Sequence, residues 1–266
     1  MRLRVDGVDV ASYVDGSDVD IRYGRRPYLH PVRTLAGTPV TDAGPEVHPW
    51  HLGVSVALAD VSGTNLWGGR TYVRDQGYTW RDDHGTIAHT AWLPAPDGFA
   101  GRLEWRDPAG SPLLVEDRTV TGHAVAQGWR LTLAYTLTAA RDLHLGSPAT
   151  NGRPGGAGYG GFFWRAAPGE ASTFTATRDG EEAVNGSAEP WLAFRGAGPY
   201  TLVFRGLADD DRWFVRTGIY PGVCAALAFE RPLVLPAGAA VARTVTVLVA
   251  DGWLTRTDVP AAEPHA

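Results

Sequence analysis

The chain has 266 residues and a formal net charge of −5 at neutral pH. No basic stripe points to a nucleic-acid partner, and no apolar run of about 18 residues predicts a transmembrane helix. The N-terminus lacks the apolar core of a signal peptide, and Cys224 is the only cysteine, so we expect a cytoplasmic protein without internal disulfides. We expect one large domain over residues 1–258 and a frayed tail at 259–266.

Strand patterns recur along the whole chain. The first is a hairpin with Asp6-Gly7 at its turn, and residues 127–138 alternate cleanly between apolar and polar positions. The hairpin occupies residues 3–10, and further predicted strands lie at 54–61, 101–105, 113–118, 200–204 and 241–249. No capped segment with a helical period is present. The sequence therefore predicts an all-β fold, a single large sandwich of mainly antiparallel strands with little helix.

Histidines and prolines are concentrated between Pro27 and Gly53. His30 and His48 are each followed by proline, and His51 lies three residues after His48. Histidine exchanges a proton near neutral pH and is also a common metal ligand. Pro49 disfavours a helix here, but a bend would still let both imidazoles converge. We predict acid/base or hydrogen-bonding roles for these histidines; metal ligation and structural burial are the alternatives.

His89 is the next candidate, in the segment His84-Gly-Thr-Ile-Ala-His89. A separation of five sends the two histidines to opposite faces of a strand, and Gly85 marks His84 as a turn residue. We therefore predict that His89 joins a catalytic set with His48 and His51. For zinc or iron, His30 or His89 would supply the third ligand.

Two charged residues are also candidates. Arg33 follows His30 by three residues and offers donors to carboxylates or vicinal hydroxyls, and the alternative is a structural salt bridge. Glu116 shares a strand face with Leu114 and Arg118. A cross-strand ion pair is the favoured interpretation, and a role as general base or ligand keeps Glu116 among the catalytic candidates.

Aromatic and amide side chains complete the predicted site. Asn65 and Trp67 precede a Gly-Gly turn, and aromatic faces suit sugar C–H surfaces, although buried packing is the alternative for each of the ten tryptophans. A glycine-rich loop ends in Gly158-Tyr-Gly-Gly-Phe-Phe-Trp-Arg165, where Tyr159 and Arg165 are the predicted polar contributors. The alternative there is a plain surface loop. We predict His30, Arg33, Asn65, Trp67, Tyr159 and Arg165 as substrate-binding residues.

An ordered set of segments carries a resemblance to a known family. It comprises residues 29–37, 45–53, 63–69, 85–89, 158–165, 212–216 and 249–252. Together they resemble a bacterial family of unknown function, domain of unknown function 6807, often labelled methane oxygenase PmoA. Family members commonly carry His-Pro-His-His where this chain has Trp50 in place of the middle histidine. The resemblance implies a sugar-catabolic setting and a galactose-mutarotase-like supersandwich, in which a concave sheet binds sugar and a histidine moves protons.

Three functions follow from this combination. The first is proton transfer on a sugar or oxidised sugar by an epimerase, mutarotase or lyase, with His48, His51, His89 and Glu116 as catalytic residues. The second is a metal-dependent enzyme that uses the same histidines, and the third is a non-catalytic carbohydrate-binding module. We expect a small carbohydrate as the partner, with no cofactor, nucleic acid or membrane.

Overall fold

The computed structural model describes residues 1–95, 97–208 and 210–259. Strand accounts for 51% and helix for 4%, which confirms the predicted all-β class. The strands are β1 (Arg2–Val5), β2 (Val8–Val14), β3 (Tyr28–Val32), β4 (Val54–Leu58), β5 (Asp60–Val61), β6 (Thr71–Val73), β7 (Gly77–Thr79), β8 (Thr86–Leu93), β9 (Phe99–Arg106), β10 (Pro112–Val125), β11 (Gly128–Ala139), β12 (Leu143–Gly146), β13 (Gly160–Arg165), β14 (Ser172–Thr175), β15 (Trp191–Arg195), β16 (Tyr200–Arg205), β17 (Arg212–Arg216), β18 (Gly222–Ala226), β19 (Leu233–Leu235) and β20 (Ala240–Asp251). The helical segments are α1 (Glu181–Val184) and 3-10 turns at Ile21–Tyr23 and Arg256–Asp258.

Two large antiparallel sheets form the sandwich. The seven-stranded sheet has the order β1-β2-β3-β4-β13-β18-β17. The eight-stranded sheet has the order β14-β15-β16-β20-β11-β10-β9-β8. Two smaller sheets, β19-β12-β5 and β6-β7, lie in the connections. The long strands predicted at residues 113–118, 127–138 and 241–249 are neighbours in the eight-stranded sheet.

The first hairpin shows why the sequence pattern works. Asp6 and Gly7 both have positive φ, 48° and 81°, as a two-residue turn with the twist of its flanking strands requires. Leu3 and Val5 then lie on the buried face of β1, and their polar neighbours are exposed. The turn residues and the alternation of apolar and polar residues therefore together set the pairing register of β1 and β2.

The core between the sheets is rich in aromatic side chains. Trp164 and Trp213 of the seven-stranded sheet contact Phe204 of the eight-stranded sheet, with ring centroids 5.7 and 6.4 Å apart. Trp105 and Trp129 are fully buried in the same core. Burying a side chain of this size contributes about 1.5–3 kcal/mol, so these contacts hold the two sheets face to face.

Three inner strands of the seven-stranded sheet, β4, β13 and β18, are buried on both faces. Along β13, Phe162 and Trp164 face the sandwich core, whereas Phe163 belongs to a second cluster on the opposite face. Loop residues cover that opposite face, and we call this cover the roof; it consists of Trp50, His51, Trp67, Tyr159, Tyr220 and Phe229. Strands with two buried faces carry continuous apolar runs, which is why β4 and β13 lack clean alternation.

The remaining expectations concern membranes and the C-terminus. Within the described ranges, no helix is long and apolar enough to cross a membrane. Of the predicted tail, Val259 packs against a small cluster that contains Phe174, Ala193 and Val203. Residues 260–266 lie outside the described residues.

Candidate functional site

The segment between β3 and β4 folds back over the face of the seven-stranded sheet that lies opposite the sandwich core. Two successive turns form it, because His48 N donates to Pro45 O at 2.9 Å and His51 N donates to His48 O at 3.0 Å. Pro49 takes the second position of the latter turn, where its fixed φ is favourable. The turn brings both imidazoles to the same side, although no helix is present.

The two imidazole rings stack on each other beneath an aromatic cover. Their centroids are 4.8 Å apart and their planes differ by 12°. Tyr220 touches both rings, at 4.4 Å from His51 and 5.0 Å from His48. The ring of Phe163 in β13 lies 5.2 Å from that of His51, so the sheet shields His51 from solvent on this side. Only 2% of His51 is exposed.

Both rings are held in the neutral form. Burial, followed by the neighbouring His48 and Arg165 charges, holds the pKa of His51 well below its ordinary value. Burial and Arg165 also lower the pKa of His48. The Nδ1 atoms of both rings are buried without a hydrogen-bond partner. A neutral imidazole with an unbonded nitrogen is ready to accept or donate a proton when a ligand reaches it.

Arg165, the last residue of β13, places a cation beside the pair. Its guanidinium donates to Pro221 O at 3.3 Å and to Asp42 Oδ2 at 3.4 Å, and it lies 5.6 Å from the Tyr220 ring centre. Its Nε is buried without a partner. Burial lowers the pKa of Arg165, against the stabilising charge of Asp42. Three unbonded buried nitrogens therefore lie in one small region: on His48, His51 and Arg165.

Arg26 ties the roof to the sheet. It is fully buried, and its guanidinium donates to Ser55 Oγ at 3.1 Å and to the carbonyl oxygens of Gly24, Trp67 and Trp50 at 2.9–3.0 Å. Burial lowers its pKa to about 9. Because it bonds the backbone of both Trp50 and Trp67, this one side chain fixes the two loops that flank His51.

Asn65 and Trp67 shape the neighbouring loop. The Asn65 side chain accepts from the amides of Trp67 and Gly68 and donates to Thr71 Oγ1 at 2.9 Å, so its polar atoms are engaged in the loop itself. Trp67 packs on Tyr159 and Phe163 at 4.7 Å and on His51 at 6.1 Å. Trp67 is therefore a wall of the site.

A second set of aromatic residues reaches the surface. Trp50 contacts His48 at 5.5 Å and Trp80 at 6.5 Å, and 47% of Trp80 is exposed. His84 lies 6.2 Å from Trp80, and its Nε2 is 2.7 Å from Gly69 O. Trp50 and Trp80 thus form an accessible aromatic surface next to the histidine pair.

Tyr159 lies deeper in the roof. Its hydroxyl is 3.1 Å from that of Tyr78, and the pKa of Tyr159 is raised well above its ordinary value, chiefly by burial. The guanidinium of Arg153 lies over the Tyr78 ring at 4.8 Å. Tyr159 is therefore a neutral hydrogen-bonding group that supports Trp67.

His30 and Arg33 lie away from the stacked pair. His30 Nδ1 is 3.0 Å from Thr41 Oγ1, and burial lowers the pKa of His30. Arg33 donates to Gly37 O at 3.1 Å, within its own loop. Through Thr41, His30 contacts the segment that contains Asp42, the carboxylate that accepts from Arg165. The guanidinium of Arg33 instead stabilises the turn that follows Arg33.

His89 and Glu116 have other surroundings. His89 Nδ1 is 2.8 Å from Tyr13 OH, and its ring contacts Trp92 at 4.1 Å at the edge of the eight-stranded sheet. Glu116 is fully buried; it accepts from Arg118 at 2.6 Å and from Trp105 Nε1 at 2.9 Å. The predicted convergence of His89 with His48 and His51 is therefore not seen, because β8 lies at the far edge of the other sheet. Glu116 does form an ion pair, but its partner Arg118 lies two residues along the same strand and not on a neighbouring strand.

Four residues of the site escaped the sequence analysis. Tyr220 carried only a turn signal, from the Pro221-Gly222 that follows it, and Arg26 carried none. Trp50 was noted for the histidine it replaces, and His84 was set aside as a turn residue. Among the described residues, no group of three or more His, Cys, Asp or Glu side chains is arranged to hold a metal ion.

Comparison with known proteins gives one match. The model of a family of unknown function, DUF6807, matches residues 1–263. No curated protein and no solved structure matches the chain.

Proposed function

Because the chain belongs to the DUF6807 family of unknown function, we propose its function from the site itself: a carbohydrate-active protein of sugar catabolism that transfers a proton to or from a sugar or oxidised sugar at His48 and His51. One observation carries the proposal. Two neutral, stacked imidazoles present unbonded Nδ1 atoms beside the unbonded Nε of Arg165. Groups that satisfy no protein partner in a buried site are available to a ligand.

The roles follow from the charges. A neutral imidazole accepts a proton, and its stacked neighbour either relays that proton or supplies the acid. A buried guanidinium stabilises negative charge that develops on a substrate oxygen. Arg165 is suited to this role by its place next to the pair, whereas the Arg33 guanidinium is bonded within its own loop. This chemistry is that of an epimerase, a mutarotase or an eliminating lyase.

The aromatic surroundings support a carbohydrate ligand. Trp50 and the exposed Trp80 offer ring faces beside His48, and such faces pack against the C–H surface of a sugar. A cytoplasmic location belongs to the same proposal.

Proton exchange in deuterated water tests the proposal. Solvent deuterium is followed into D-glucose, D-galactose, D-fructose and D-glucuronate by proton NMR, with wild-type protein, His48→Asn and His51→Asn. His144→Asn, an exposed residue of β12, is the matched control. We expect exchange into at least one of these compounds, reduced by about 10² to 10⁴ in the His51 variant, and unchanged in the control.

Two results would overturn the proposal. Binding of these sugars without exchange in any protein would instead indicate a binding module. A stoichiometric metal in purified protein, lost in His51→Asn, would indicate the metal-dependent enzyme.

A further inference from the structure

A cleft of about 260 Å³ opens beside the β6–β7 hairpin, apart from the histidine pair. Its walls come from four segments of the chain, and its polar lining includes Asp60, Thr71, Arg74, Arg81, Asp83 and Asn151. Neither His48, His51 nor Arg165 lines it. Its volume lies just below the range of about 300–1,000 Å³ that is usual for small-molecule sites, so its capacity is that of a compact ligand.

The two carboxylates of the cleft are fixed but not saturated. Asp60 accepts from Gly63 N at 2.7 Å and from Asn151 Nδ2 at 2.9 Å. Asp83 accepts from Thr71 Oγ1 at 3.1 Å and lies 3.5 Å from Arg81 Nε. Each ionised carboxylate has about four acceptor positions, so both retain capacity for further donors. Hydroxyl groups are the neutral donors that suit such acceptors.

Arg74 is different from Arg81, because no described residue makes an ion pair or hydrogen bond with its side chain. Its guanidinium packs on the backbone at Gly152, where an added Cβ would lie 2.8 Å from one terminal nitrogen. The positive φ of Gly152, 97°, keeps this position free of a side chain. The cleft therefore holds one unpaired cation and two carboxylates that already have partners.

We propose that this cleft binds a small polyhydroxylated carboxylic acid, a sugar acid in chemical class, with its carboxylate on Arg74 and its hydroxyls on Asp60 and Asp83. Guanidinium matches carboxylate in a two-point, charge-assisted geometry. The carboxylates of the cleft repel a second acidic group and accept hydroxyl protons, so the ligand has one charged end and a hydroxylated chain. This binding does not require proton transfer at His48 or His51.

Calorimetric titration at pH 7 tests the proposal with three probes. D-gluconate has both features, D-glucitol has the hydroxyl chain without the carboxylate, and acetate has the carboxylate alone. We expect gluconate to bind at least about tenfold more tightly than either of the others, a difference of about 1.4 kcal/mol. Arg74→Gln should weaken gluconate by about tenfold and leave glucitol unchanged, whereas Asp60→Asn should weaken both.

Arg102→Gln is the matched control, since Arg102 is exposed and pairs with Asp117 within the eight-stranded sheet, away from the cleft. Its gluconate affinity should equal that of the wild type, and urea unfolding verifies that every variant folds. Equal affinity for gluconate and glucitol, equal affinity for gluconate and acetate, no detectable gluconate binding, or gluconate affinity unaffected by Arg74→Gln would each overturn the proposal. The proton-exchange assay is read separately, so either proposal fails without the other.

Discussion

His48 and His51 stack with their ring centroids 4.8 Å apart and their planes 12° from parallel, and both imidazoles are neutral. Two protonated rings at this distance would repel each other strongly, and the nearby guanidinium of Arg165 adds to the repulsion. The stacked arrangement is therefore favoured only in the pH range in which both rings stay uncharged.

The first prediction is that the protein loses stability as the pH falls from 7 to 5. Burial lowers the pKa of four histidines in the folded state: His30, His48, His51 and His89. Below a pH of about 6.5 the unfolded chain binds protons that the folded chain does not. The free energy of unfolding therefore falls as the pH falls. The contribution of His51 is at most about 1.4 kcal/mol per pH unit.

Urea unfolding at several pH values measures this slope. His51→Asn should flatten it, and His144→Asn, exposed on β12, should leave it as it is. A slope that is the same in wild type and His51→Asn would contradict the assignment of a neutral, buried His51.

The second prediction concerns Arg26. Arg26→Met removes the donors to three carbonyl oxygens and one hydroxyl, and leaves these acceptors without partners beneath the roof. Buried acceptors that lose their donors cost about 1–3 kcal/mol each, so the free energy of unfolding should fall by about 3 kcal/mol or more. Arg25→Met, at the exposed neighbouring residue, is the control and should change stability far less. Equal effects of the two substitutions would show that Arg26 does not hold the roof.

The third prediction separates a structural from a catalytic Glu116. Glu116→Gln breaks a buried ion pair with Arg118 and should cost about 3–5 kcal/mol of stability, because an unpaired guanidinium remains in the core. Asp117→Asn, in the exposed pair on the next residue, should cost about 0–1 kcal/mol. Proton exchange per folded molecule should be the same in Glu116→Gln as in the wild type. Loss of exchange in a variant that is still folded would restore Glu116 as a catalytic candidate.

The fourth prediction tests how Trp50 is placed. A Cβ at Gly69 would lie 2.6 Å from the Trp50 indole, at a φ of 73°. Gly77 has nearly the same φ, 77°, and nothing within 4 Å of its virtual Cβ. Gly77→Ala therefore reports backbone strain alone, about 1–2 kcal/mol, while Gly69→Ala adds the clash. Thermal unfolding and tryptophan fluorescence should show a larger loss and a displaced indole only for Gly69→Ala; matching effects would argue against the close packing of Trp50.

The strands could be predicted because alternation and turn residues are local properties. The hairpin at Asp6-Gly7 and the alternation of β11 needed no knowledge of the rest of the chain. The pairing of β13 with both β4 and β18 was not readable in this way, since these partners are separated by many residues. That pairing is what places Arg165 beside the His48–His51 turn.

The site was accessible to sequence analysis only in part, for the same reason. The His-Pro-Trp-His spacing indicated a bend that brings two imidazoles together, because a four-residue turn is local. Strand parity placed His84 and His89 on opposite faces, and Gly85 led to the choice of His89, but parity gives the face of a strand and not the sheet to which the strand belongs. His84 precedes β8, so parity did not apply to it, and its ring reaches Trp80 through the loop.

The division of β13 between two clusters has a consequence for how this protein can change over time. Phe162 and Trp164 maintain the joint between the sheets, while Phe163 and Arg165 determine what the roof encloses. Alternate positions on one backbone thus have different surroundings, one set in the core between the sheets and the other beneath the roof. A lineage with this scaffold can diversify its ligands by substituting alternate residues and leave the architecture intact.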